Sequence, residues 1–300
     1  MVSPPQAQES SNSVACVVVT RDRKDLLREC LKAVAAQTHL PQRVVVVDNA
    51  SSDGTVAMVC DEFSGAQLVP LGRNVGSAGG FHAGLTAARD AGTRWLWLLD
   101  DDSIAEPDAL QRLIEAPWRE AGLPEPLLLA SRVNWTDGTP HPMNTPMLRR
   151  RDPNRLVQAA GAGLLPLRAT TFVSLLVAGA AIERHGPPRP EFFLQADDIE
   201  FTARLLRSSY GYLVPDSIVE HRTKTPHTFL TDPVKFYFHV RNTLFMIKGA
   251  SWSNAEKAAL GWVVFESIVR FLVRYGLNTS NIRTITGALR HGLRGPTTIN

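Results

Sequence analysis

Three consecutive aspartates, Asp100, Asp101 and Asp102, close the run WLWLLDDDS. Adjacent carboxylates behind an apolar strand repel one another at a cost set by the local dielectric, so a positive partner is expected. Asp100 and Asp102, two positions apart, can approach one hard divalent cation that also holds phosphate oxygens, the usual mode of Mg²⁺ or Mn²⁺. The same acids also suit a solvated turn ahead of a helix over 103–116, because acids favour helix N-termini. Four further clusters carry polar chemistry. The stretch from Asp48 to Gly54 (DNASSDG) follows VVVV and can hydrogen-bond a base or ribose, or simply turn the chain into the next helix. The turn from Arg73 to Gly80 (RNVGSAGG) offers close backbone approach, free amides at a following helix start for a diphosphate, and Arg73 as counter-charge. In QADDIE, Asp197, Asp198 and Glu200 enter a helix; two of them fit as N-terminal caps, and one facing a crevice can take a proton from a hydroxyl. His221, after IVE, can supply imidazole to a metal or serve as a structural hydrogen-bonder.

The elements that must position these groups follow from periodicity. Val14 to Thr20 (VACVVVT) and Val44 to Val47 read as strands buried on both faces, and residues 22–36 place Leu26, Leu27, Cys30, Leu31, Val34 and Ala35 at helical spacing behind an Asp22 cap. A helix over 55–63, a strand over Gln67 to Pro70, the glycine turn over 72–80, a helix over 81–91 and a strand from Trp95 to Leu99 continue a βαβ series. The implied fold class is α/β, a mostly parallel sheet flanked by helices. Ligands bind such sheets beyond the carboxyl ends of the strands. Thr20, Asp48 and Asp100 to Asp102 each follow an apolar strand, so three strand ends converge on one crevice. Residues 117–155, rich in Pro and Arg, read as a long loop over the site rather than core. Order resumes over 171–182 and 191–208 and reaches a strand from Tyr212 to Val214. Beyond about 233 the pattern is helical, over 233–248, 254–275 and 281–292. The resulting division is a Ser, Pro and Gln-rich disordered leader over 1–13, an α/β domain over 14–232 and a helical region over 233–300.

The 300 residues carry a net charge of +3, too balanced for a nucleic-acid coat, so no nucleic-acid partner is expected. The distribution is uneven: 11 Lys/Arg against 3 Asp/Glu over 222–300, a local +8, leaves 21 against 26, or −5, before it. Cys16, Cys30 and Cys60 lack a paired spacing and fit a reduced, cytoplasmic compartment. The N-terminus shows no basic and apolar signal pattern, and no apolar run approaches the roughly 20 residues of a spanning helix. In 254–275 a broad apolar surface, interrupted by Glu266, Arg270 and Arg274, fits a core helix or homo-oligomer contact. It also fits a peripheral membrane helix, given the +8 and the interface-suited Trp252 and Trp262.

In this order, VVVT, VVVVDNASSDG, GRNVGSAGGFHAG, WLWLLDDDS, FFLQADDIEF and IVEH resemble the family 2 glycosyltransferases of the GT-A fold, over about residues 14–225. Within the family the motifs look most like bacterial galactofuranosyltransferases acting on lipid-linked cell-wall acceptors. Rhamnosyltransferases using dTDP-rhamnose are the alternative. The resemblance implies Thr20 and Asp48 in a uridine pocket, Arg73 and Asn74 beside the nucleotide and diphosphate, and Asp100 and Asp102 on ribose or metal. It further implies His221 completing an Mn²⁺ or Mg²⁺ site and Asp198 as catalytic base, with Asp197 one residue away as fallback. The partners so implied are a nucleotide-sugar donor and a polyprenyl-diphosphate-linked glycan, met at the inner face of the cell membrane. A nucleotide-binding protein without turnover predicts the same βαβ half but leaves Asp198 and His221 incidental. A dinucleotide oxidoreductase fits less well, since the first strand ends in VVVTRDR rather than G-x-G-x-x-G.

Overall fold

The structure is a computed structural model that describes residues 13–89, 93–225 and 232–296. The leader expected over 1–13 lies, except for Ser13, outside the described residues. Ser13 itself is tied to the sheet, its Oγ accepting from Arg94 N at 2.9 Å. The chain runs β1 (Val14–Thr20), α1 (Lys24–Ala35), β2 (Arg43–Asp48), α2 (Thr55–Glu62), β3 (Gln67–Pro70), α3 (Gly76–Arg89), β4 (Trp95–Asp100), β5 (Ser103–Ala105) and α4 (Ala109–Ile114). It continues through β6 (Pro126–Asn134), β7 (Met147–Leu148), α5 (Pro153–Gly161), β8 (Leu165–Ala169), β9 (Leu175–Ala178), α6 (Gly179–His185), α7 (Asp197–Leu205) and β10 (Tyr210–His221). Three helices follow: α8 (Pro233–Lys248), α9 (Asn254–Tyr275) and α10 (Thr279–Arg294).

The sheet order is β3-β2-β1-β4-β9-β6-β10-β8-β7, with β5 on β10. β3, β2, β1 and β4 are parallel, as are β6 and β10, while β9 runs antiparallel between β4 and β6. β-branched side chains fill both faces of the central strands. Val14, Cys16 and Val18 face a core completed by Leu27, Leu31 and Met58, whereas Ala15, Val17 and Val19 face Phe81, Leu85 and Phe201.

Three expectations are corrected. The stretch 117–155 is not loop alone: β6 lies inside it, with Leu128, Leu129 and Ala130 fully packed in the sheet. The run LLLA carried that signal, masked by its flanking prolines. Residues 103–116 begin as a strand, because β5 pairs with β10, and helix forms only after Pro107. The glycine turn is instead the first turn of α3. A Cβ on Gly80 would meet Val19 Cγ1 at 2.5 Å, and one on Gly84 would meet Val17 Cγ1 at 2.5 Å. These glycines bring a helix onto strands, and an added methyl there would cost about 1–3 kcal/mol.

The tail helices gather round Phe236, Val240, Val264, Phe271 and Ala288. Trp252 is only 4% exposed, lying under the Arg168 guanidinium, so it offers nothing to a bilayer; Trp262, 65% exposed, remains available. No helix among the described residues is long and apolar enough to cross a membrane.

Candidate active site

β5 pairs antiparallel with β10 in the register His221↔Ser103, and Arg222 N donates to the Asp102 carbonyl at 2.8 Å. That pairing carries the histidine to the aspartates. Ligand atoms of Asp100, Asp102 and His221 all lie within 4.8 Å of one another. Asp101 turns away, its Oδ2 accepting from Thr20 Oγ1 at 2.8 Å. Arg23 Nη1 bridges Asp101 Oδ1 at 3.0 Å and Asp102 Oδ2 at 2.7 Å. Arg23 is thus part of the positive partner the triplet demands, and sequence reasoning missed it. Its only signal was a base three residues past a strand end.

Burial pushes the Asp100 carboxyl up to about 7, with the Asp102 charge adding to it. Asp101 is pushed up to about 6 by burial against the opposing pull of Arg23 and Thr20. Burial acts on Asp102 too, yet His221 and Arg23 hold it below the usual carboxylate range. His221 is raised in turn, Asp102 outweighing the burial that would lower it.

The residues fit a divalent cation. His221 Nδ1 faces Asn144 Oδ1 at 2.8 Å, and an amide oxygen only accepts, so the network assigns the neutral ring's proton to Nδ1. Nε2 then turns a lone pair toward Asp102 Oδ1 at 3.1 Å. Two lone pairs face each other there, and no hydroxyl or amide among the described residues donates to that buried oxygen. A second ring proton, or a cation bound by both atoms, resolves the contact. Asn144, in a short helical turn over Pro142–Asn144, was also missed.

Asp197 and Asp198 part company at the start of α7. Asp197 is buried, accepts from Ser77 Oγ at 2.9 Å and is pushed up to about 6 by that burial. Asp198 accepts from Ile199 N at 2.7 Å and is raised well above the usual range, first by burial, then by the charges of Asp197 and Asp100.

The expected nucleotide residues behave differently from one another. Asp48 is buried, with Oδ2 near Ser51 N at 3.2 Å, while Oδ1 finds no donor among the described residues. Thr20 is buried, and its hydroxyl proton is committed to Asp101. Arg73 is exposed. Asn74 Oδ1 is occupied, accepting from Asn49 Nδ2 at 3.0 Å and Gly76 N at 2.9 Å. Some of the amides at the glycine turn have partners within the protein. Val75 N donates to Asn49 Oδ1 at 2.8 Å and Ala78 N to the Phe193 carbonyl at 3.3 Å. The turn thus packs α3 against the loop at Phe193.

Comparison with known proteins shows the family and the fold. The pattern of the family described as Glycosyl transferase family 2 matches residues 15–121. Galactofuranosyltransferase GlfT1 of Mycobacterium tuberculosis is 30% identical over 246 residues, 77% of this chain and 81% of that protein. N-acetylglucosaminyl-diphospho-decaprenol L-rhamnosyltransferase of the same organism is 23% identical over 305 residues, 90% of this chain and 95% of that protein. Among solved structures, S. aureus TarS 1–349 in complex with UDP-GlcNAc superposes with a TM-score of 0.64 at 16% identity, covering 95% of this chain and 82% of that one, a likeness of fold.

Proposed function

The chain belongs to glycosyltransferase family 2, and from that premise we propose that it moves galactofuranose from UDP-galactofuranose to a hydroxyl of a lipid-linked cell-wall glycan. The observation that carries the reading is the meeting of Asp100, Asp102 and His221 at the strand ends. The 30% identity to a galactofuranosyltransferase supports the choice of sugar.

Asp100, Asp102 and His221 would hold Mn²⁺ or Mg²⁺, which when bound supplies Lewis-acid neutralisation of diphosphate charge. The buried Asp48 Oδ1 accepts from an N–H of the base, and Arg73 offers counter-charge to the diphosphate. Asn74 keeps a supporting place, shaping the loop beside the nucleotide. Asp198 takes the proton of the acceptor hydroxyl as its oxygen attacks the anomeric carbon. The bond to the diphosphate oxygen breaks on the opposite face, its electron pair leaving with that oxygen, so one displacement inverts the anomeric centre. The lipid of the acceptor puts the working position at the cytoplasmic face of the cell membrane.

Rhamnose transfer from dTDP-rhamnose is the second reading, favoured by the alignment with a rhamnosyltransferase over 90% of this chain. Both donors, offered with Mn²⁺ and a polyprenyl-diphosphate-linked acceptor under mass-spectrometric detection, separate the two. Transfer from UDP-galactofuranose is expected. Transfer from dTDP-rhamnose alone would select the second reading, and nucleotide binding without transfer from either would leave a binding protein.

A further inference from the structure

We propose that Asn242, with Arg241 beside it, is a positioning residue for the reaction: from helix α8 it holds the loop that presents Asp198 in a backbone shape the loop would not keep alone. The inference rests on Asp198 acting as the base. The loop is unusual in its backbone. Phe193 (φ 61°), Gln195 (φ 69°) and Ala196 (φ 62°) all adopt the left-handed region, and none is glycine. Phe193, with ψ −63° and Leu194 N donating to the Phe192 carbonyl at 2.7 Å, centres a γ-turn of the strained hand. Such shapes persist only where surrounding structure over-determines them, and they gather at functional sites.

The restraint comes from the tail. Asn242 is fully buried, and the two N–H groups of its Nδ2 are shared among three carbonyls of this one loop, all within hydrogen-bond distance: Phe192 at 2.9 Å, Leu194 at 2.8 Å and Gln195 at 2.7 Å. Arg241 Nη2 adds donations to Glu191 and Phe192 carbonyls, each at 2.8 Å, and its Nε fixes the amide by donating to Asn242 Oδ1 at 2.8 Å. The Phe193 ring stacks on Phe238 of the same helix at 5.1 Å. On the other side the loop abuts α3, where a Cβ on Gly76 would fall 1.9 Å from the Phe193 carbonyl oxygen. Two residues beyond Ala196 stands Asp198. Helix α8 therefore sets the geometry of the loop that presents Asp198 rather than merely adjoining it.

The test uses the full chain with Asn242→Leu, similar in size but without donors. Turnover should fall about 10- to 100-fold, as for a reacting group misplaced by about an ångström. UDP affinity should stay within about twofold. Val240→Ala loosens the same helix without touching the loop, so it should lower thermal stability and leave kcat intact. Adding Ala196→Gly to Asn242→Leu should restore part of the lost turnover, because glycine adopts positive φ freely. Hydrogen exchange over residues 193–198, measured without donor, should quicken in Asn242→Leu. Unchanged exchange, wild-type kcat, or an equal kcat loss in Val240→Ala overturns the proposal. If the unaltered protein transfers no sugar, the functional reading fails instead, and the exchange rates still judge the clamp.

Discussion

At the residue scale the sharpest question is which acid of the Asp197 and Asp198 pair acts. The sequence offers two neighbouring carboxylates, and the fold gives them different partners: Asp197 accepts from Ser77 Oγ, whereas Asp198 accepts from the Ile199 backbone N–H. Asp198→Asn keeps the shape and removes the proton acceptor, so donor binding should survive while single-turnover transfer falls about 10²- to 10⁴-fold. Asp197→Asn still offers Ser77 an amide oxygen and should cost much less. Near-normal transfer by Asp198→Asn beside a collapsed Asp197→Asn would shift the base to Asp197. The acid triplet was legible as a cluster in need of a partner because repulsion needs compensation. That Arg23 shares in the compensation was not, since pairing across a strand end and a helix start depends on tertiary approach.

At the scale of elements, the β-branched runs made the parallel strands legible, and the tail helices fall close to where periodicity put them. β6 was hidden by prolines, and β5 is too short for any period to show. The first glycines of α3 read as a turn because nothing in one sequence reveals which strand lies beneath a helix. Helix α9 carries a testable charge of its own. Ser253 and Glu256 form its capping box, and Arg168 Nε reaches Glu256 Oε1 from β8 at 2.7 Å. Partial burial alone would raise Glu256, yet Arg168 and Ser253 bring it down to about 2. A carboxylate lowered on folding stabilises the fold above its unfolded pKa of about 4.3 and loses that contribution as pH falls through the folded value. Glu256→Gln should therefore cost about 1 kcal/mol at pH 7, the shift being discounted for solvent screening. Urea midpoints should show the two proteins converging between pH about 4 and 2. A gap that stays constant down to pH about 2 would mean that Glu256 acts through packing and not through its charge.

For the whole molecule, the surface of α9 poses the question of membrane contact. The side of α9 formed by Val264, Ser267 and Phe271 is buried, as a core helix requires. The side turned away from it is also apolar: Trp262, Phe265, Val269 and Val273 follow one another at helical spacing and are exposed, Val273 by 83%. With 11 Lys/Arg against 3 Asp/Glu over 222–300, this surface suits an anionic bilayer more than a second equally basic copy, which would repel it. The protein should sediment with vesicles containing phosphatidylglycerol at low salt. Part of it should be released as ionic strength rises, because exposed charges are screened over about 10 Å at 0.1 M. The remainder, held by apolar insertion, should be lost in Trp262→Ser combined with Val273→Asp, a pair of exposed substitutions that leaves the buried face intact. Sedimentation velocity in the absence of lipid supplies the contrasting outcome. A concentration-dependent dimer that the same double substitution abolishes, with no vesicle binding at any salt, would give this face to a second copy of the chain. Binding that vanishes entirely above about 0.3 M salt would assign the contact to the basic residues alone and leave the apolar stripe without a part in it.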